Sequence, residues 1–244
     1  MDSAPTPLRI PASIEEPLRT LRSNILLRLG PKSKCFLITS ALAGEGKTTI
    51  CASLASVLAV AGKRVLRMDA DLRAPSLHKL FGVSNQKGFS QLLTGTALNE
   101  VCYTIAGALT LVPSGPVLCD PQQLLLGDFL SSSLTEARNT YDVILLDSSP
   151  VLDSLDPALI AARTDGVLAV MRAGRVTHPE VRLLQHKIES VGGKVLGAVL
   201  NRVAASGATV RQPPLLAPEI AKGSAEASPV LADLDGAVST GGPK

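Results

Sequence analysis

A chain of 244 residues has room for one substantial α/β domain and little beyond it. Hydrophobic residues make up 45% and charged residues 18%, a globular balance, but aromatics reach only 2%, so Leu, Val, Ile and Ala must build the core and no aromatic stripe exists to stack nucleobases. The net charge of +3 is spread over scattered Lys and Arg, which excludes a massed basic footprint, and nucleic acid is not expected as a partner.

Residues 1–13 are rich in Pro, Ser and Thr and read as a flexible N-terminal arm, without the basic stretch and apolar run of a secretory signal. A helix is predicted over about residues 16–29, with Leu18, Leu21, Ile25 and Leu29 on one face and Gly30-Pro31 as its stop. Arg19 and Arg22, three apart, point together from a different face. The start of this helix has two readings. Pro17 at the first helical position would make Glu16 the cap, whereas Ser13-Ile14-Glu15-Glu16 reads as a capping box one turn earlier.

Residues 35–39 form a short apolar, strand-like run, followed by Ala41-Leu42-Ala43-Gly44-Glu45-Gly46-Lys47-Thr48-Thr49 and then by Ile50, Leu54, Val57, Leu58 and Ala61 at helical spacing. A second strand over residues 64–68 ends in Asp69-Ala70-Asp71, and a third over 143–146 ends in Asp147. Two further runs, 166–171 and 195–200, complete the strands, with helical segments near 157–163 and 179–191 between them. This alternation predicts an α/β domain over residues 14–203, a mainly parallel central sheet with helices on both faces. Residues 204–244 are Ala, Pro, Gly and Ser with few large apolar groups and no tyrosine, and read as a disordered C-terminal tail. The longest apolar stretch, residues 50–61, is too short to span a bilayer, so any membrane role would come through a partner. Cys35, Cys51, Cys102 and Cys119 lie far apart with no C-x-x-C pair; they read as small apolar residues of a reducing, cytoplasmic protein.

The glycine loop departs by one methyl from G-x-x-x-x-G-K-[ST], since Ala41 stands at the first Gly. Gly44 and Gly46 leave the backbone bare where it must curl around phosphates, and the strand before and helix after supply the context of a P-loop. The nucleotide-binding residues are then Ala43, Gly44, Glu45, Gly46, Lys47, Thr48 and Thr49, with Lys47 reaching the β- and γ-phosphates of ATP and the Thr48 hydroxyl on Mg²⁺. In a parallel sheet the carboxyl ends of neighbouring strands share one rim. Asp69, Asp71 and Asp147 would therefore face the phosphates, where a Mg²⁺ nucleotide needs oxygen ligands, although a single such Asp is as readily a helix cap or turn residue.

Asp69-Ala70-Asp71-Leu72-Arg73-Ala74-Pro75 resembles the second nucleotide motif of the bacterial tyrosine kinases, the P-loop protein kinases of exopolysaccharide and capsule export. Asp147-Ser148-Ser149-Pro150-Val151 resembles their third motif, Glu16-Pro17-Leu18-Arg19-Thr20-Leu21-Arg22 matches their E-x-x-R-x-x-R helix, and Gly197-Ala198-Val199-Leu200-Asn201-Arg202-Val203 is similar to the end of their core. The resemblance implies an ATP-dependent kinase acting on protein tyrosines. In it, Asp69 draws the proton from the attacking hydroxyl, Asp71 and Asp147 join Thr48 at Mg²⁺, and Lys47 stabilises the transferring group. It further implies a homo-oligomeric ring with Glu16, Arg19 and Arg22 at the subunit interface, Asn201 and Arg202 beside the adenine, and peripheral attachment to the membrane through a membrane-embedded polysaccharide co-polymerase or adaptor.

Members usually end in a tyrosine cluster, whereas the tyrosines here are Tyr103 and Tyr141, which sets the family's tail autophosphorylation aside. Two other classes stay open: a partitioning or positioning switch ATPase, which would usually carry a second lysine where Leu42 stands, and a catalytically idle ATP-binding co-regulator of polysaccharide export. From the composition of the tail, removal of residues 205–244 is expected to leave the ATP dissociation constant and the melting temperature unchanged. A large loss of either would show that the tail docks on the domain.

Overall fold

A computed structural model describes residues 12–28, 34–117 and 120–203. Most of the expected arm, the Gly30-Pro31 stop, Cys119 and the tail 204–244 lie outside the described residues.

Strand β1 (Lys34–Ser40) shows why the chain folds in layers. Cys35 and Leu37 point to one face and Phe36 and Ile38 to the other, and all four are buried, as a parallel strand covered on both sides requires. β5 (Val143–Asp147) pairs with β1 on one side and β6 (Gly166–Arg172) on the other, both parallel. β2 (Val65–Asp69) joins β5, β4 (Leu109–Val112) joins β2, and β7 (Val195–Asn201) joins β6, again parallel. β3 (Tyr103–Ala106) closes the far edge antiparallel to β4, giving the order β3-β4-β2-β5-β1-β6-β7. The five expected strands are present, and the sheet has two more. β3 and β4 are only four residues each, too short to carry a legible alternation.

One face is covered by α1 (Ala12–Arg28), α2 (Lys47–Val60) and α3 (Leu77–Phe81), whose Leu18, Ile25, Leu54, Leu58 and Phe81 pack on Phe36, Ile38, Val143 and Leu145. The other carries α4 (Phe89–Leu92), α5 (Pro121–Leu126), α6 (Phe129–Thr140), α7 (Asp156–Ala161) and α8 (His178–Glu189), packed on Cys35, Leu37, Ile144 and Leu146. Helices on both faces of a mainly parallel sheet are as expected.

α1 corrects the expectation for its start. It runs from Ala12 through Pro17, so neither Glu16 nor Ser13 caps it, and residues 12 and 13 belong to the helix. Pro17 forgoes one backbone hydrogen bond and is costly inside a helix. The burial of Leu18 and Ile25 in the layer shared with α2 offsets that cost. Among the described residues no helix is long and apolar enough to cross a membrane.

Candidate functional site

The carboxyl ends of β1, β2, β5, β6 and β7 meet at one rim of the sheet, and the loop of residues 41–46 curls over it from β1 into α2. Ala41 is buried, and Arg202 is the one described non-glycine residue with positive φ, so the backbone at Ala41 is ordinary and admits the methyl that replaces the usual glycine. Gly44 and Gly46 are different: their φ values of +78° and +97° lie in the left-handed region, and a Cβ on Gly46 would strike the Asn201 amide.

Glu45 sets the shape of this loop from within. Its carboxylate is fully buried and accepts from the Leu42 amide at 2.8 Å and from the Arg172 amide of β6 at 3.0 Å. The Asn201 side chain, at the end of β7, donates to the Glu45 carbonyl at 2.8 Å. Two strands, β6 and β7, therefore hold the loop together with its own start. Lys47 opens α2 with its side chain buried, Thr48 is half-buried, and Ala43, Gly44 and Thr49 are open to solvent.

Asp69 and Asp147 end neighbouring strands and lie side by side in register. Both are buried. Asp69 Oδ2 accepts from the Ser76 and Leu77 amides at 3.1 and 2.9 Å, and Oδ1 from the Asp71 amide at 3.2 Å. The helix-cap reading of this acid is thus realised, at the start of α3, together with its convergence on Asp147. Burial pushes the Asp69 carboxyl up to about 6, helped by the charge of Asp147 and opposed by those amides and by Arg67. Burial likewise raises Asp147, against Arg67, the Thr48 hydroxyl and Lys47. Asp71 is half-buried and turns Oδ1 to the Arg73 and Ala74 amides at 3.3 and 2.9 Å.

The chain reading missed Arg67. This residue of β2 is completely buried, its Nη2 lies 3.2 Å from Asp147 Oδ2 and 3.0 Å from the Thr48 carbonyl, and its guanidinium sits 5.7 Å over the Phe81 ring. The signal was present as an arginine inside an otherwise apolar strand, but its partner stands 80 positions downstream. Arg73 is similar: it leaves the second motif to pair with buried Asp156 at 2.8 Å.

The structure separates the remaining expected site residues. Asn201 is spent on the loop through its Nδ2 and on the Arg202 amide through its Oδ1, whereas Arg202 is exposed with φ of 58°. On α1, Glu16 is exposed and Arg19 pairs with Glu15 at 2.6 Å, an exposed contact of small energetic value. Arg22 is half-buried, and its Nε has no hydrogen-bond partner among the described residues.

Whether these residues suit a magnesium nucleotide can be judged from their donors. Asp147 Oδ1 is a buried acceptor without a partner, beside the Thr48 hydroxyl, and no group of three acids, histidines or cysteines forms a metal cage among the described residues. Mg²⁺ commonly takes one or two carboxylates and completes its shell with phosphate oxygens and water, so the donor set fits.

The family model described as "AAA domain" matches residues 33–196. Tyrosine-protein kinase CpsD of Streptococcus agalactiae serotype Ia is 36% identical over 205 residues, 83% of this chain and 88% of that protein. Tyrosine-protein kinase YwqD of Bacillus subtilis is 32% identical over 189 residues, 76% of this chain and 80% of that one. Among solved structures, the kinase domain of the Escherichia coli tyrosine kinase ETK superposes with a TM-score of 0.76 at 31% identity, covering 86% of this chain and 87% of that domain.

The elevated Asp69 carboxyl has a consequence for the ligand-free protein. Between the ordinary value of 3.8 and about 6, the folded chain holds a proton that the unfolded chain has released. Stability is therefore expected to fall as pH rises through this window, with the full penalty present above it. Asp69→Asn, which keeps an oxygen for the Ser76 and Leu77 amides, should flatten the slope and be the more stable form near neutrality. Urea unfolding of both proteins at about pH 5 and about pH 7.5 measures this, and identical slopes would contradict it.

Proposed function

The chain belongs to the family of bacterial P-loop tyrosine kinases, and from that premise we propose that it transfers the γ-phosphoryl group of ATP to tyrosine hydroxyls of protein substrates. The observation that carries the reading is the in-register pair Asp69 and Asp147 at the rim over which the Lys47-Thr48 loop curls.

Lys47 is the cation for the transferring group. It stands at the mouth of α2, where backbone N–H groups already favour an anion. Thr48, Asp71 and Asp147 would hold Mg²⁺, which when bound neutralises charge on the phosphate oxygens. Asp69 takes the proton of the incoming tyrosine; a carboxyl raised to about 6 is a better acceptor than an ordinary carboxylate and still ionised at neutral pH. Ala43, Gly44, Gly46 and Thr49 meet the nucleotide. Glu45 and Asn201 serve it indirectly by fixing the loop, and Arg202, exposed beside Asn201, is free to reach the base.

The protein works in exopolysaccharide or capsule synthesis, at the cytoplasmic face of the membrane, beside a membrane-embedded co-polymerase or adaptor. This part of the proposal rests on the motifs shared with the family. It assembles as a homo-oligomeric ring in which Glu16, Arg19 and Arg22 of α1 face the next subunit, a role supported by the Nε of Arg22, which has no hydrogen-bond partner among the described residues. Replacing Arg19 and Arg22 together by Ala is expected to reduce the ATP-bound assembly to monomers in sedimentation velocity. An unchanged mass would remove α1 from the interface.

Lys47→Met removes a charge and little volume. Phosphotyrosine formation on a tyrosine-bearing partner, with ATP and Mg²⁺, should fall by at least about a hundredfold while the melting temperature is retained. Full activity in this variant would overturn the assignment, and phosphate release without phosphotyrosine in the wild type would favour the switch ATPase.

A further inference from the structure

A second cation stands over the phosphate loop. Arg175 lies in the turn between β6 and α8, and that turn is fastened to the loop's own supports. The Arg172 amide donates to Glu45 Oε1 at 3.0 Å, the Ala173 amide to the Asn201 carbonyl at 2.9 Å, and the Arg175 amide to the Arg172 carbonyl at 3.2 Å. From this base the guanidinium reaches back over Gly44: a Cβ built on that glycine would lie 3.2 Å from Arg175 Nη1. Gly44 itself is open to solvent, so the arginine is brought to the exposed part of the loop and not to a packed wall.

No acid answers this arginine. Among the described residues it makes no ion pair and no side-chain hydrogen bond. The carboxylate that feels its charge, Glu180, is committed to the Thr177 amide at 2.7 Å and the Thr177 hydroxyl at 2.8 Å. Lys47, at the foot of the same loop, also lacks an ion-pair partner within 4.0 Å among the described residues. Two cations beside a ring of backbone N–H groups repel one another until a multiply charged anion enters between them. The loop supplies no further cation: Leu42 is packed against the core, and Glu45 is a buried carboxylate held by the Leu42 and Arg172 amides.

We infer that Arg175 binds the terminal phosphates of ATP from the Gly44 side of the loop, as a cation supplied in cis beside Lys47. This rests on the nucleotide reading above and adds to it a residue outside every motif found along the chain. A guanidinium suits the task, since it is always charged and its long stem carries that charge from the β6–α8 turn to the open side of Gly44. The backbone that carries it is already ordered, so only the side chain loses freedom on binding.

The test is calorimetric titration of ATP with Mg²⁺ into the full chain, into Arg175→Gln and into Arg175→Lys, each at two salt concentrations. Arg175→Gln is expected to raise the dissociation constant about tenfold and to make it less sensitive to salt. Arg175→Lys, which keeps the charge, should stay within about threefold of the wild type. Arg175 is exposed, so melting temperatures of all three should agree. Wild-type affinity and salt dependence in Arg175→Gln would make Arg175 a solvated surface residue and overturn the inference, while leaving the kinase assignment intact. Equal losses in both variants would also overturn it, since charge would then not be the cause. No uptake of ATP by the wild type would sink this inference and the nucleotide reading together.

Discussion

Two carboxylates buried side by side are unfavourable, and the structure tolerates Asp69 and Asp147 because Arg67 lies beneath them. Its guanidinium joins the end of β5 to the first turn of α2, bonding Asp147 and the Thr48 carbonyl through one nitrogen. The arrangement is not a relaxed one. Arg67 Nε and Nη1 and Asp147 Oδ1 are buried without hydrogen-bond partners among the described residues, a burden that a core of apolar side chains would not carry. Stability alone gives no reason for such a cluster. The proposed nucleotide site gives one, because binding a cation and a triphosphate takes fixed charges that water has not already satisfied.

The loop above these acids is equally prepared. Glu45 ties it to its own start and to β6, Asn201 ties it to β7, and the two positive-φ glycines keep its N–H groups unobstructed. Ordering a flexible loop around phosphate would cost conformational entropy at the moment of binding, and here that ordering is complete in the fold. Glu45, a residue that a motif reading assigns to the ligand, holds the loop from behind. Its side chain points into the protein and its contribution is geometry.

The acids divide their labour by exposure. Asp147 is sealed by its ion pair, Asp69 is sealed by the amides of α3, and Asp71 is partly open to solvent two residues further on. Arg73 continues the same segment outward and anchors it on Asp156 at the start of α7. The second motif is therefore a strut, running from the buried rim to the helical layer on the far side of the sheet.

Much of this was legible along the chain. Five strands, the glycine loop and the two acids after strands follow from periodicity and from local backbone demands, which depend on near neighbours. The α1 start was misplaced because Pro17 is unfavourable locally, and only the packing of Leu18 and Ile25 in the layer shared with α2 pays that local cost. What tertiary structure alone decided are pairings between residues far apart: Arg67 with Asp147, Arg73 with Asp156, Asn201 with Glu45, Arg175 over Gly44. The strand order that inserts β5 between β1 and β2 creates the first of these, and the extension through β6 and β7 creates the last two. Residue types and spacing record which chemistry a segment can perform. Which charge finally faces which oxygen depends on the sheet order, and no local pattern encodes it.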